Sequence, residues 1–165
     1  MKNVAIIVVI ISLTFIAGCS TVQSVNSIPV SSTKPINEPA MLENNEYSFM
    51  ISVDQLKFDP SFSNSHMLNV HMTIKNTGSK ALGITCISKI TDYASVKTAG
   101  SGASTKLLYP DESQSVKNII LIQDNQYNAL SKDSKLEINC MGMESPGKGW
   151  MNFDASWDVK PGDLK

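Results

Sequence analysis

An all-β fold, a single antiparallel sandwich of seven strands, is what this 165-residue sequence predicts. Three observations carry the prediction. From Glu46 onward apolar residues recur with a period of two, the pattern of strands with one face buried. Turn-forming Asn, Gly, Pro and Ser residues separate those runs. No amphipathic helix of useful length interrupts them, and seven short strands in roughly 114 residues match the size of one sandwich domain.

The elements follow in order. Met1-Lys2-Asn3 is a short positive start, followed by the apolar run Val4–Ala17 and then Gly18-Cys19-Ser20. That run reaches roughly 21 Å as a helix, against a hydrocarbon core of about 30 Å, so residues 1–18 read as a signal peptide and not as a span. Residues 19–45 read as a tether. Pro29, Pro35 and Pro39 stand among Ser, Thr and Asn without periodicity, too little apolar surface to order the chain.

The domain is placed at 46–160, with a tail at 161–165. Tyr47, Phe49, Ile51 and Val53 form the inward row of a first strand, and a phase slip to Leu56 and Phe58 predicts a bulge near Gln55. Leu68, Val70, Met72 and Ile74 form the second, closed by Asn76-Thr77-Gly78, residues tolerant of positive φ. Leu82, Ile84, Cys86 and Ile90 make the third. Ala99–Ser104, containing Gly100, Ser101 and Gly102, reads as a flexible loop, and Leu107–Tyr109 as a short fourth strand before the turn Pro110–Ser113. The run Val116–Ile122 predicts a buried fifth strand, and Gln126–Leu130 a single helical turn crossing between sheets. Leu136, Ile138 and Cys140 lie on the sixth. Met151, Phe153, Ala155, Trp157 and Val159 lie on the seventh, with Trp157 inside.

Composition narrows the function. All 14 basic residues are lysine and the net charge is −1, so there is no electrostatic footprint for nucleic acid and no guanidinium fork for phosphate. Three cysteines without CxxC spacing exclude a zinc ribbon or a thioredoxin-like site. The glycines at 100 and 102 lack the strand-to-helix setting and the lysine of a phosphate loop. Two histidines, with no Gly-x-Ser-x-Gly elbow and no His-Glu-x-x-His helix, give no hydrolase machinery. The expectation is a protein that is not an enzyme and takes no cofactor.

Metal binding is weighed and not expected. His66, Met67, His71, Met72, Met141 and Met143 are ligand types that copper accepts. On a strand, however, His66 and His71 point to opposite faces, and Met67 and His71 stand about 13 Å apart. Asp154 and Asp158 share an outward face with Asn152 and Ser156, but without a calcium-loop pattern they read as a solvated surface. Trp150, of opposite parity to Trp157, faces outward beside Met141 and Met143 or caps the core's end. With the Gly100-Ser101-Gly102 loop it makes the candidate binding surface.

Phe15-Ile16-Ala17-Gly18-Cys19 resembles the lipobox of bacterial lipoproteins, with Ile16 where leucine is usual. The resemblance implies cleavage before Cys19 and its acylation with diacylglycerol and a fatty acid such as palmitate, which makes the lipid bilayer a partner. Ser20, where an aspartate would retain the protein in the inner membrane, implies the outer membrane, facing the periplasm. An opening strand, then Asn69–Gly78, then Tyr109-Pro-Asp-Glu-Ser113 before an apolar strand resembles the immunoglobulin-like domains of unknown function in small bacterial lipoproteins, over about residues 46–142. That resemblance implies a non-catalytic module. It would bind another envelope protein, as an accessory of a secretion, conjugation or surface-structure machine. The alternative is an inhibitor or immunity lipoprotein acting on a periplasmic toxin or lysozyme, with Ala99–Ser104 as its protruding loop. Cys86 and Cys140 share the parity of their core neighbours, and export to an oxidising compartment leads us to expect a disulfide between them within one sheet.

Overall fold

The structure, a computed structural model, describes residues 34–60, 65–130, 132–144 and 151–164. The 1–18 signal segment, Cys19 with the tether as far as residue 33, and Trp150 lie outside the described residues. Nine strands are present among them: β1 (Lys34–Pro35), β2 (Ala40–Glu43), β3 (Ser48–Pro60), β4 (Ser65–Asn76), β5 (Gly83–Thr91), β6 (Lys97–Ser104), β7 (Ser113–Gln123), β8 (Ser134–Met143) and β9 (Met151–Val159). One short helix, α1 (Asp124–Ala129), links β7 to β8, and a single 3₁₀ turn, Pro161–Asp163, follows β9.

Two sheets pack as a sandwich, one in the order β1-β9-β8-β5-β6 and the other β2-β3-β4-β7. Every pairing is antiparallel except β1 with β9. The hairpins β2–β3, β3–β4, β5–β6 and β8–β9, with crossings between the sheets at β1–β2, β4–β5, β6–β7 and β7–β8, give a Greek-key connectivity.

Period-two patterning builds the core. The inward rows Leu68-Val70-Met72-Ile74 of β4, Leu136-Ile138-Cys140 of β8 and Met151 to Val159 of β9 are all buried. Each large aliphatic or aromatic side chain so placed contributes about 1.5–3 kcal/mol relative to exposure. Phe49 of one sheet meets Phe153 of the other edge to face, at 4.8 Å between ring centroids. Trp157 is fully buried, and its indole N–H donates to the Glu38 carbonyl at 2.8 Å, fixing the turn between β1 and β2.

Cys86 and Cys140 are directly paired across β5 and β8, with their sulfurs at bonding distance and α-carbons 4.0 Å apart. Parity in the sequence had pointed to this geometry. The bulge is also where the phase slip puts it: the β3–β4 register shifts between Val53 and Gln55. Helix α1 covers the predicted helical turn. None of its residues is buried, and it is held from outside, His66 of β4 pairing with Asp124 at 3.0 Å and stacking on Tyr127 at 3.8 Å.

Four expectations are corrected. The fold is not bounded at residue 46, because Ala40 and Leu42 of β2 are buried in the core and β2 pairs with β3. Leu107–Tyr109 is no strand but a single bridge between Leu82 and Leu108. Ala99–Ser104 is no loop but most of β6. Its small residues serve a close approach, since a Cβ on Gly100 would lie 2.6 Å from the Ile119 carbonyl oxygen. The tail is also structured, as Leu164 bridges to Leu56 and packs on the core.

The Asn76-Thr77-Gly78 turn works by a different device from the one expected. Neither Asn76 nor Thr77 has positive φ. Gly78 is needed because any Cβ there would meet the Ser48 backbone nitrogen at 2.9 Å. The buried Asn76 amide donates to the carbonyls of Lys80 (2.8 Å) and Leu108 (2.9 Å) and accepts from the Gly78 N–H (3.0 Å).

Candidate functional site

A groove lies at the bulge in β3. Val53 pairs with Met72 and Gln55 with His71, leaving Asp54 as the extra residue. Around it the chain brings together four distant segments: Ile36 and Asn37 from the β1–β2 turn, His71 of β4, Ser115 and Lys117 of β7, and Gly162 and Asp163 from the 3₁₀ turn. The resulting groove is open to solvent, with a volume of about 680 Å³.

Its polar groups are partly committed. Asp54 accepts a hydrogen bond from the Thr73 hydroxyl at 2.7 Å, and the Thr73 oxygen in turn accepts from the Ser115 hydroxyl at 3.1 Å. Asp163 accepts from the Lys160 backbone N–H at 2.8 Å, which fixes the 3₁₀ turn as one wall. His71 is half-buried on the outer face of the sheet. Further along the same face, Lys57 donates to Asp59 (3.0 Å) and, helped by Asn69, holds that carboxyl below its ordinary range against the opposing effect of burial. The groove offers mixed-sign hydrogen-bonding groups over an apolar floor of Val53, Leu56 and Val116. No cluster of three or more His, Cys, Asp or Glu side chains suited to a metal occurs among the described residues.

Of the surface drawn from the sequence, the described residues lie on two strands separated by β5. Met141 and Met143 are half-buried on the outer face of β8. Gly100, Ser101 and Gly102 lie on β6, on the far side of β5. There Ser101 accepts a hydrogen bond from the Ile119 backbone N–H at 3.0 Å and helps to close the two sheets together. The groove residues Asp54, Lys117 and Asp163 were not singled out by sequence reasoning, and His71 was weighed there only as a metal ligand. The one signal that led toward them was the phase slip at Gln55, since bulges often re-aim side chains at functional positions.

Away from the groove, the Tyr47 hydroxyl donates to Glu144 at 2.7 Å. That bond, followed by burial and the charges of Glu144 and Glu46, pushes its pKa from 10.0 up to about 12.

No family model matches the chain, and no curated protein does. Among solved structures it is similar to a protein assigned as ApaA from Bordetella pertussis, at 16% identity and TM-score 0.47, covering 78% of this chain and 97% of that one. It is also similar to an uncharacterized β-sandwich protein from Clostridium difficile, at 14% identity and TM-score 0.41, covering 74% of this chain and 94% of that one. A β-glucuronidase from glycoside hydrolase family 2 matches over 64% of this chain but 11% of its own, at 14% identity and TM-score 0.44. Similarities this distant carry nothing about activity.

Proposed function

We propose that the protein is a lipid-anchored, non-catalytic binding module of the bacterial cell envelope, held at the outer membrane through Cys19 and engaging another envelope protein. The observation that carries this reading is the order Lys2, apolar run, Ala17-Gly18-Cys19, followed by a self-contained sandwich. The paired Cys86 and Cys140, which suit an oxidising compartment, agree with it. The groove beside the β3 bulge is the binding face in this reading, because its mixed charges and apolar floor suit an extended peptide segment better than a single charged ligand. The inhibitor reading depended on a protruding loop at Ala99–Ser104, and those residues are strand β6.

The test has two arms. Metabolic labelling with a radioactive fatty acid should mark the wild type and not Cys19→Ser. A photo-crosslinking residue at position 71 or 117 should capture a discrete envelope protein in cells, whereas one at position 152 should not. Labelling of the serine variant would overturn the anchor, and equal capture at all three positions would overturn the groove as the binding face.

A further inference from the structure

The groove at the β3 bulge continues past its wall. A second hollow of about 370 Å³ lies beyond, lined by Pro35, Ile36, Asn37, Asp158, Lys160 and Asp163. Ile36, Asn37 and Asp163 line both, so the two hollows adjoin at the β1–β2 turn and the 3₁₀ turn.

Strand register sets the direction of this path. Lys117 of β7 stands opposite His71 of β4, and His71 stands opposite Gln55 of β3, the neighbour of Asp54. At about 4.8 Å between neighbouring strands, the two ends of that row are about 10 Å apart. Leu164 bridges to Leu56, which puts Asp163 at the bulge end as well. A cation thus marks one end and two carboxylates the other, and the path between them crosses the strands.

These charges are not spent within the protein. Among the described residues, Asp54, Lys117, Asp158, Lys160 and Asp163 take part in no ion pair, whereas Lys57, Lys75, Lys80, Lys97 and Lys106 are each paired with a carboxylate. At 10 Å, salt screens Lys117 and Asp54 from each other.

Their order selects an occupant. A small anion drawn to Lys117 gains nothing from the carboxylates, and a segment of one sign meets one favourable end and one unfavourable end. An extended segment advances about 3.3 Å per residue, so side chains two or four positions apart on one face stand about 7 or 13 Å apart, and their own length brings either spacing to about 10 Å. We propose that the groove takes an extended peptide of mixed charge, with a lysine or arginine beside Asp54 and Asp163 and, two or four residues along, an aspartate or glutamate beside Lys117. Val53, Leu56 and Val116 form the floor under the residues between. This rests on the groove being the binding face and adds the charge order of its partner.

Fluorescence polarisation on the full chain in detergent micelles tests the order with labelled octapeptides of alanine and serine. Two carry one lysine and one glutamate, spaced two or four positions apart; the others carry two lysines, two glutamates or no charge. The better mixed peptide should bind about fivefold more tightly than the uncharged and single-sign peptides, since two exposed ion pairs each contribute a factor of about two to three. Lys117→Glu should move the preference to the two-lysine peptide. Asp54→Asn, which can still accept from Thr73, should cut the advantage of the mixed peptide to about twofold. Lys89→Gln, on the other sheet, should change neither. Mixed peptides that bind no better than the uncharged one would overturn the proposal, as would an unchanged preference in Lys117→Glu. If photo-crosslinking at positions 71 and 117 still succeeds in that case, the groove stands as the binding face without this charge order; if it fails too, both readings fall.

Discussion

Removing the Cys86–Cys140 link should cost this domain more stability than almost any other paired change on its surface or in its core. The link closes a loop of 54 residues. In the chain-entropy account, restricting the unfolded chain by such a loop contributes about 4 kcal/mol at 25 °C. For a folded unit of roughly 130 residues that corresponds to a drop of about 15 °C in Tm. Because both sulfurs are buried, the comparison needs two forms: Cys86→Ala with Cys140→Ala, which also leaves a small cavity, and reduced wild type, which does not. Denaturant unfolding should place the reduced wild type about 4 kcal/mol below the oxidised form, and the double variant slightly lower still. Retention of stability within about 1 kcal/mol in the reduced protein would show that the unfolded chain is not restrained as the loop arithmetic requires.

Three further outcomes follow from contacts described above. Asn76→Ala removes three hydrogen bonds at a buried site and should cost about 3 kcal/mol, measured as a shift in the urea midpoint at unchanged slope. Gly100→Val forces β6 away from Ile119 and Ile120 and should destabilise by about 1–3 kcal/mol, with the loss of amide protection concentrated in β6 and β7. Tyr47 is raised from 10.0 to about 12, so its bond to Glu144 stabilises the fold fully below about pH 10, and that contribution is lost as pH rises through about 12. Tyr47→Phe should therefore be less stable than the parent by about 1 kcal/mol at pH 8, and the gap should close toward pH 12.

The strands that sequence reasoning found are those whose two faces differ. β4, β8 and β9 alternate buried and exposed positions along most of their length, and the same parity aimed Cys86 and Cys140 inward and at each other. β2 was hidden because Ala40 and Leu42 sit between Pro39 and a run of polar residues, and two inward side chains are too few to establish a period. β6 was hidden for the opposite reason. Its Gly-Ser-Gly composition has the look of a loop, but the residues are small because a neighbouring backbone occupies the space a side chain would fill. The groove was illegible in principle, since Asn37, Asp54, His71, Lys117 and Asp163 belong to five separate stretches that only the closed sandwich brings together.

The Cys86–Cys140 link also makes a ring of the chain, and the ring holds β6, β7 and α1. Of the exposed large apolar side chains among the described residues, Tyr93, Val96, Leu107, Tyr109, Leu121 and Tyr127 all lie inside it, and Met41 lies outside. These are the positions where a protease that prefers aromatic or aliphatic residues finds its substrate on the surface. A cut at any one of them opens the ring without parting the molecule, since the two ends stay joined through the sulfurs and each half remains packed in its sheet. Proteolytic damage at these positions is thus converted from a loss of the protein into a nick that the fold survives, for as long as its surroundings stay oxidising.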